Sequence, residues 1–192
     1  MLATMMTRRS RGLPLVVLLA AASASGGKKE PPRLMKVSAA DAKAKGLPAI
    51  GLGVDLAGTA MSGAVLPDSD TYLRLSGPPG GPLLFRVEPW REKDADASTL
   101  EKAMRARFSR PTDEPFVVGK AATVKIGGAA RPALPFMTGQ SMARTAWCAA
   151  VVPAGKEGSL LVLAGIGGNA PDCAVTLAHE SIAALVRSFR LK

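Results

Sequence analysis

Between residues 121 and 166 short apolar runs alternate with turn residues, and this stretch predicts the centre of the fold. Runs at 123–126, 129–136, 143–152 and 159–166 are separated by Gly127 with Gly128, by a polar stretch, and by a loop over 153–158. Paired glycines supply the positive φ of a tight hairpin turn, so the runs read as three or four antiparallel strands. Such a meander buries one face and needs a cover. The end of the chain predicts that cover. Ala178, Ile182, Leu185, Val186 and Phe189 recur at helical spacing in a single stripe, on a helix opened by Cys173.

Upstream the patterns are shorter. Residues 71–76 alternate, with Leu73 and Leu75 on one side and Tyr72 and Arg74 on the other, and Leu83, Phe85 and Val87 alternate again after a Gly/Pro loop at 77–82. This predicts a hairpin with a long connection. Residues 51–56 and 63–66 are brief apolar runs, the second stopped by Pro67. Residues 98–108 predict a helix: Ser98 with Glu101 forms a capping box, and Leu100, Ala103, Met104 and Phe108 share a face. Arg105, Arg107 and Arg110 crowd its end, where cations suit the helix dipole, and they read as a solvated face rather than a phosphate site. The fold class is α+β, an antiparallel sheet covered by helices.

The first 46 residues follow other rules. Residues 1–24 read as a signal peptide: Arg8, Arg9 and Arg11 precede an apolar run at 13–22, and Ala22 and Ala24 flank a small-residue cleavage site. The run is too short for a permanent bilayer span, and Met5 or Met6 would serve as a start as well as Met1. Residues 25–46 read as a basic flexible linker containing one short helix, with Ser38 as its cap and Gly46 as its stop. The domain proper is then 47–192. Charge supports the division. The 192-residue chain carries +10, but leader and linker hold most of it and residues 47–192 keep only +3. A nucleic-acid partner is therefore not expected.

Gly165, Gly167 and Ala170 make a G-x-G-x-x-A between a strand and a helix, but the chain lacks the following strand and acidic residue that a dinucleotide site needs. The prolines at 78, 79 and 82 remove N–H donors a phosphate loop requires. His179 is the only histidine, so a multi-histidine metal site is not available, and it reads as a boundary residue of the last helix. A hydrolase using His179 would need a serine hydroxyl within reach. Neither a cofactor nor a metal is expected. Cys148 and Cys173 are the only cysteines, and in an exported protein an even count favours a disulfide between them.

The order of short strands, helix, meander and terminal amphipathic helix resembles the PsbP-like α/β/α sandwich, a family that includes small exported bacterial domains. The likeness covers residues 47–192, and its most specific pieces are Val124, Lys125, Ile126, Gly127 and Gly128 before a strand, and the closing Ser188 and Phe189. The resemblance implies an accessory or docking role with an envelope or extracellular protein as partner, and it transfers no site residue. The expected function is thus an exported, non-catalytic accessory or binding domain in the periplasm or medium, with no transmembrane segment in the mature chain. The alternative is a binder of anionic polymer or membrane surface through the basic residues 25–46. The leader predicts a mature N-terminus within about two residues of Ser25. Mass spectrometry of the protein from its host checks this, and an intact Met1 or Met6 terminus in the cytosol would contradict it.

Overall fold

The structure is a computed structural model that describes residues 33–79, 81–108, 116–139 and 144–192. The leader and the first part of the presumed linker, like Arg110 and Pro111, lie outside these. In chain order the elements are β1 (Leu34–Val37), α1 (Ala39–Ala44), β2 (Leu52–Asp55), β3 (Ser62–Asp68), β4 (Thr71–Ser76), β5 (Leu83–Trp90), α2 (Ala97–Phe108), β6 (Val117–Val118), β7 (Ala122–Ile126), β8 (Ala129–Thr138), β9 (Thr145–Pro153), β10 (Ser159–Gly167), α3 (Cys173–Ala178), α4 (Glu180–Ser188) and β11 (Arg190–Leu191).

The main sheet is antiparallel in the order β3-β4-β5-β10-β9-β8-β6, with β7 beside β6 on the same edge of β8. Both predicted hairpins form, with Leu73 opposite Val87 and Ile126 opposite Ala129. The meander differs from expectation in one respect: it is buried on both faces. Residues 145–152 of β9 and 160–165 of β10 are buried without interruption. Continuous apolar runs mark strands covered on both sides, where alternation would mark one. On one face Ile182, Leu185 and Phe189 close a core with Leu73, Phe85 and Val162. On the other, Leu100 and Met104 of α2 pack over Leu161, Leu163 and Val151. Helices thus lie on opposite sides of one sheet.

Two prolines sit in β8 without breaking it. The carbonyl of Pro135 accepts from the Gly119 N–H at 2.8 Å, so the missing donor of Pro135 faces that edge and not β9. Pro132 lies beyond Ala133–Ala150, the last pair of β8 with β9. Pro135 therefore costs only the return bond to Gly119 on the β6 side, and the ladder between β8 and β9 stays whole.

Three boundaries need correction. The folded domain does not begin at Leu47. β1 pairs with β2 through Met35–Val54 and Val37–Leu52, and Val37 and Ala42 are buried, so the later part of the presumed linker is structure. The short helix predicted there is α1, capped by the Ser38 hydroxyl on the Asp41 N–H. The cap of α2 is Asp96 rather than Ser98: its carboxylate accepts from the N–H groups of Ser98 and Thr99, which holds its pKa below the ordinary value. The single terminal helix is two. The chain turns extended at His179, so α3 packs on β9 and β10 while α4 packs on β2 and β7, and Ala178 is exposed instead of joining the stripe. Tyr72 is buried as Leu73 is, and its hydroxyl donates to the Pro48 carbonyl at 2.7 Å.

The end of α4 is fastened twice. The Ser188 hydroxyl accepts from the Asp55 N–H at 3.0 Å and donates to the Leu185 carbonyl at 3.1 Å. Gly127, at φ 59°, donates its N–H to the Val186 carbonyl at 3.0 Å and so satisfies a carbonyl that the helix end would leave open. Deleting residues 25–46 is therefore expected to lower the melting temperature by more than about 5 °C, because burial at Val37 and Ala42 and the β1–β2 ladder are lost together. Thermal unfolding followed by circular dichroism measures it; an unchanged midpoint would mean that β1 contributes nothing to the fold.

Candidate functional site

The predicted cysteine pair is present. Cys148 on β9 and Cys173, the first residue of α3, are joined with Cα atoms 4.9 Å apart and both side chains buried. Asp172 caps α3 by accepting from the Ala174 N–H at 2.7 Å, which fixes the turn that delivers Cys173 to the sheet. The bond closes a loop of 25 residues, and loops of that length contribute about 3 kcal/mol through the unfolded chain. It is a clamp between helix and sheet.

His179 sits at the break between α3 and α4 and is exposed. It lines a shallow cleft with Pro78, Pro79, Pro82, Leu83 and Ile166, side chains without a hydroxyl. The G-x-G-x-x-A segment takes a packing role. Gly165 and Gly167 lie within β10, and a Cβ on Gly165 would come 2.8 Å from the Trp147 ring. Gly165 is the seat of that indole, whose Nε1–H donates to Thr138 Oγ1 at 2.8 Å. Trp147 in turn stacks with Phe136, and Phe108 and Phe116 join them, so half of the chain's eight aromatic residues form one cluster under the end of α2.

The feature the sequence did not announce is Glu88. It is 1% exposed and is the only buried member of the Asp, Glu, Lys, Arg and His side chains among the described residues. By alternation Leu83, Phe85 and Val87 face one core, so Leu84, Arg86 and Glu88 face the other side, under α2. Arg107 of α2 forms an ion pair with Glu88 Oε2, and Arg86 Nη2 lies 2.8 Å from Oε1. The Arg86 contact is off hydrogen-bond geometry, leaving Oε1 and Arg86 Nε without a hydrogen bond. Burial raises the pKa of Glu88, while the Arg107 and Arg86 charges oppose the shift. Arg105 pairs with Glu101 at 2.8 Å and lies over the Phe116 ring. The arginines at the end of α2 are thus not simply a solvated face: Arg107 neutralises a buried carboxylate.

An open cleft of about 480 Å³ lies beside this triad, between α2 and the end of β5, lined by Glu88, Trp90, Arg91, Met104 and Arg107 among others. The Trp90 Nε1–H donates to the Asp94 carbonyl at 3.0 Å and fixes the ring at its rim. Among the described residues no group of three or more histidine, cysteine, aspartate or glutamate side chains could hold a metal, and no helix is long and apolar enough to cross a membrane.

No protein-family model and no curated protein matches the chain. The reading of function rests on the residues themselves.

The triad predicts a pH-dependent penalty. With a folded pKa above its unfolded value, Glu88 favours folding at low pH, and that contribution is lost as pH rises through the folded pKa. Arg107→Ala leaves a buried carboxylate with one partner, which costs about 3 kcal/mol at neutral pH. The loss is expected to shrink as pH falls toward the ordinary carboxylate range, where Glu88 takes a proton. Urea unfolding of both proteins at neutral and mildly acidic pH measures this; a penalty independent of pH would show that Glu88 is not ionised in the fold.

Proposed function

We propose that the protein is an exported, non-catalytic accessory or binding domain with the PsbP-like α/β/α arrangement. The observation that carries the reading is how its charge is used. The buried carboxylate of Glu88 pairs with Arg107, which fastens α2 to the sheet, and with Arg86 of its own strand, and the disulfide fastens α3 to the opposite face. Both links fix where a helix sits on the sheet. A disulfide is durable in an oxidising compartment, which favours the periplasm or the medium.

The PsbP-like part of the reading draws support from two sequence pieces that meet in space. The Gly127–Gly128 turn donates to the end of α4, and a Cβ on Gly127 would come 2.8 Å from the carbonyl oxygen of Phe189. A turn and a helix end far apart in sequence form one joint.

Cross-linking in intact cells of the native host, followed by mass spectrometry and fractionation, tests the proposal. The expected result is a reproducible envelope or extracellular protein partner, with the chain itself outside the cytosol. Residence in the cytosol would overturn the export claim. Hydrolysis of ester or amide probes by the purified protein, abolished by His179→Ala, would overturn the non-catalytic one.

A further inference from the structure

The small sheet at the end of the molecule brings both ends of the described chain together. Its order is β1-β2-β11, with Lys36 opposite Gly53 and Gly53 opposite Arg190. Met35 and Val37 turn inward with Leu52 and Val54, so Leu34 and Lys36 point outward. Gly53 has no side chain of its own on that outer face. A Cβ there would lie 3.7 Å from both Lys36 Cγ and Lys192 Cε, so two lysine stems run across the glycine. Arg190 stands in the same row, its guanidinium donating to the carbonyls of Arg187 and Phe189 at 2.7 Å. Among the described residues Lys36, Arg190 and Lys192 form no ion pair with a carboxylate. Asp55, at the Leu34 end, has Oδ1 occupied by the N–H groups of Arg33 and Ala57. Leu34 stands 54% exposed on this cationic face.

We infer that this outer face docks on a bilayer surface bearing anionic phospholipid headgroups. Cations gathered by the fold onto one face are attracted to such a surface, each by roughly five-fold in partition. The exposed Leu34 selects lipid over a linear polyanion. An apolar side chain among cations gains by entering the boundary between headgroups and acyl chains and gains nothing from a phosphate or sulfate chain. Arg33, exposed beside Leu34, adds charge at the same end. The inference rests on the reading of an exported binding domain but moves the contact from a flexible tether to a folded face.

The test is co-sedimentation of the protein, purified from its host, with vesicles. One set is phosphatidylcholine alone, and in the other about a third of the lipid is phosphatidylglycerol. Binding is expected only to the anionic set and is expected to weaken as salt rises to about 0.5 M. Lys36→Glu, Arg190→Glu and Lys192→Glu together should lower the partition about a hundred-fold, and Lys36→Glu with Lys192→Glu, which leaves the Arg190 hydrogen bonds at the end of α4 in place, about 25-fold with the melting temperature retained. Leu34→Ser should lower it about ten-fold. Equal binding to both vesicle sets, or a triple variant that binds as before, overturns the inference. So does retention on immobilised heparin by a protein that ignores both vesicle sets, which would assign the face to a polyanion. Vesicle binding is read on the isolated protein and cell fractionation on the host, so failure here and failure of the export reading are separate results.

Discussion

The fold depends on one constraint, which is that β9 and β10 are apolar on both faces. A strand pair buried on one side can be finished by a single layer. A pair buried on both sides forces three layers, because an uncovered apolar face costs about 25 cal/mol for each Å² left in water. Everything else is arranged to meet that demand. α2 closes one face and is fastened through Arg107 to Glu88, while α3 and α4 close the other, fastened by Cys173, Ser188 and the Gly127 N–H. The small sheet of β1, β2 and β11 packs behind α4 and completes that layer.

Fastening each helix with a polar or covalent link compensates for a core poor in aromatic residues. Leu, Val, Ala and Ile fill most of it, and the aromatic side chains are concentrated beneath α2. Small side chains pack well but leave each layer with a modest share of buried area. The links therefore fix where each layer sits, with the Glu88 triad setting the position of α2 and the disulfide that of α3.

What could be read from the sequence was what periodicity encodes directly. The hairpins at Leu73–Val87 and Ile126–Ala129, the helix holding Leu100 and Met104, and the cysteine pair all stand where the pattern put them. Three things were hidden, each for a physical reason. Uninterrupted apolar runs such as 146–152 do not say which side is covered, so the strand pattern by itself named a cover for only one face of the meander. No glycine or proline marks the bend at His179, which tertiary packing imposes. Glu88 reads as the polar side of an alternating strand, and only the presence of α2 above it turns that side inward. The start of the domain was misjudged because a lysine-rich segment looks solvated when its few apolar residues, Val37 and Ala42, are weighed alone.

Native-state hydrogen exchange, resolved to short peptides, tests the layered account most directly. Amides of β9 and β10 should be the slowest in the chain, exchanging only on global unfolding, and those of β1 should be protected as members of the same domain. Exchange at residues 34–37 as fast as in a free peptide, or faster exchange in β10 than in the edge strand β3, would contradict a sheet built on a doubly buried centre with the small sheet as part of its cover.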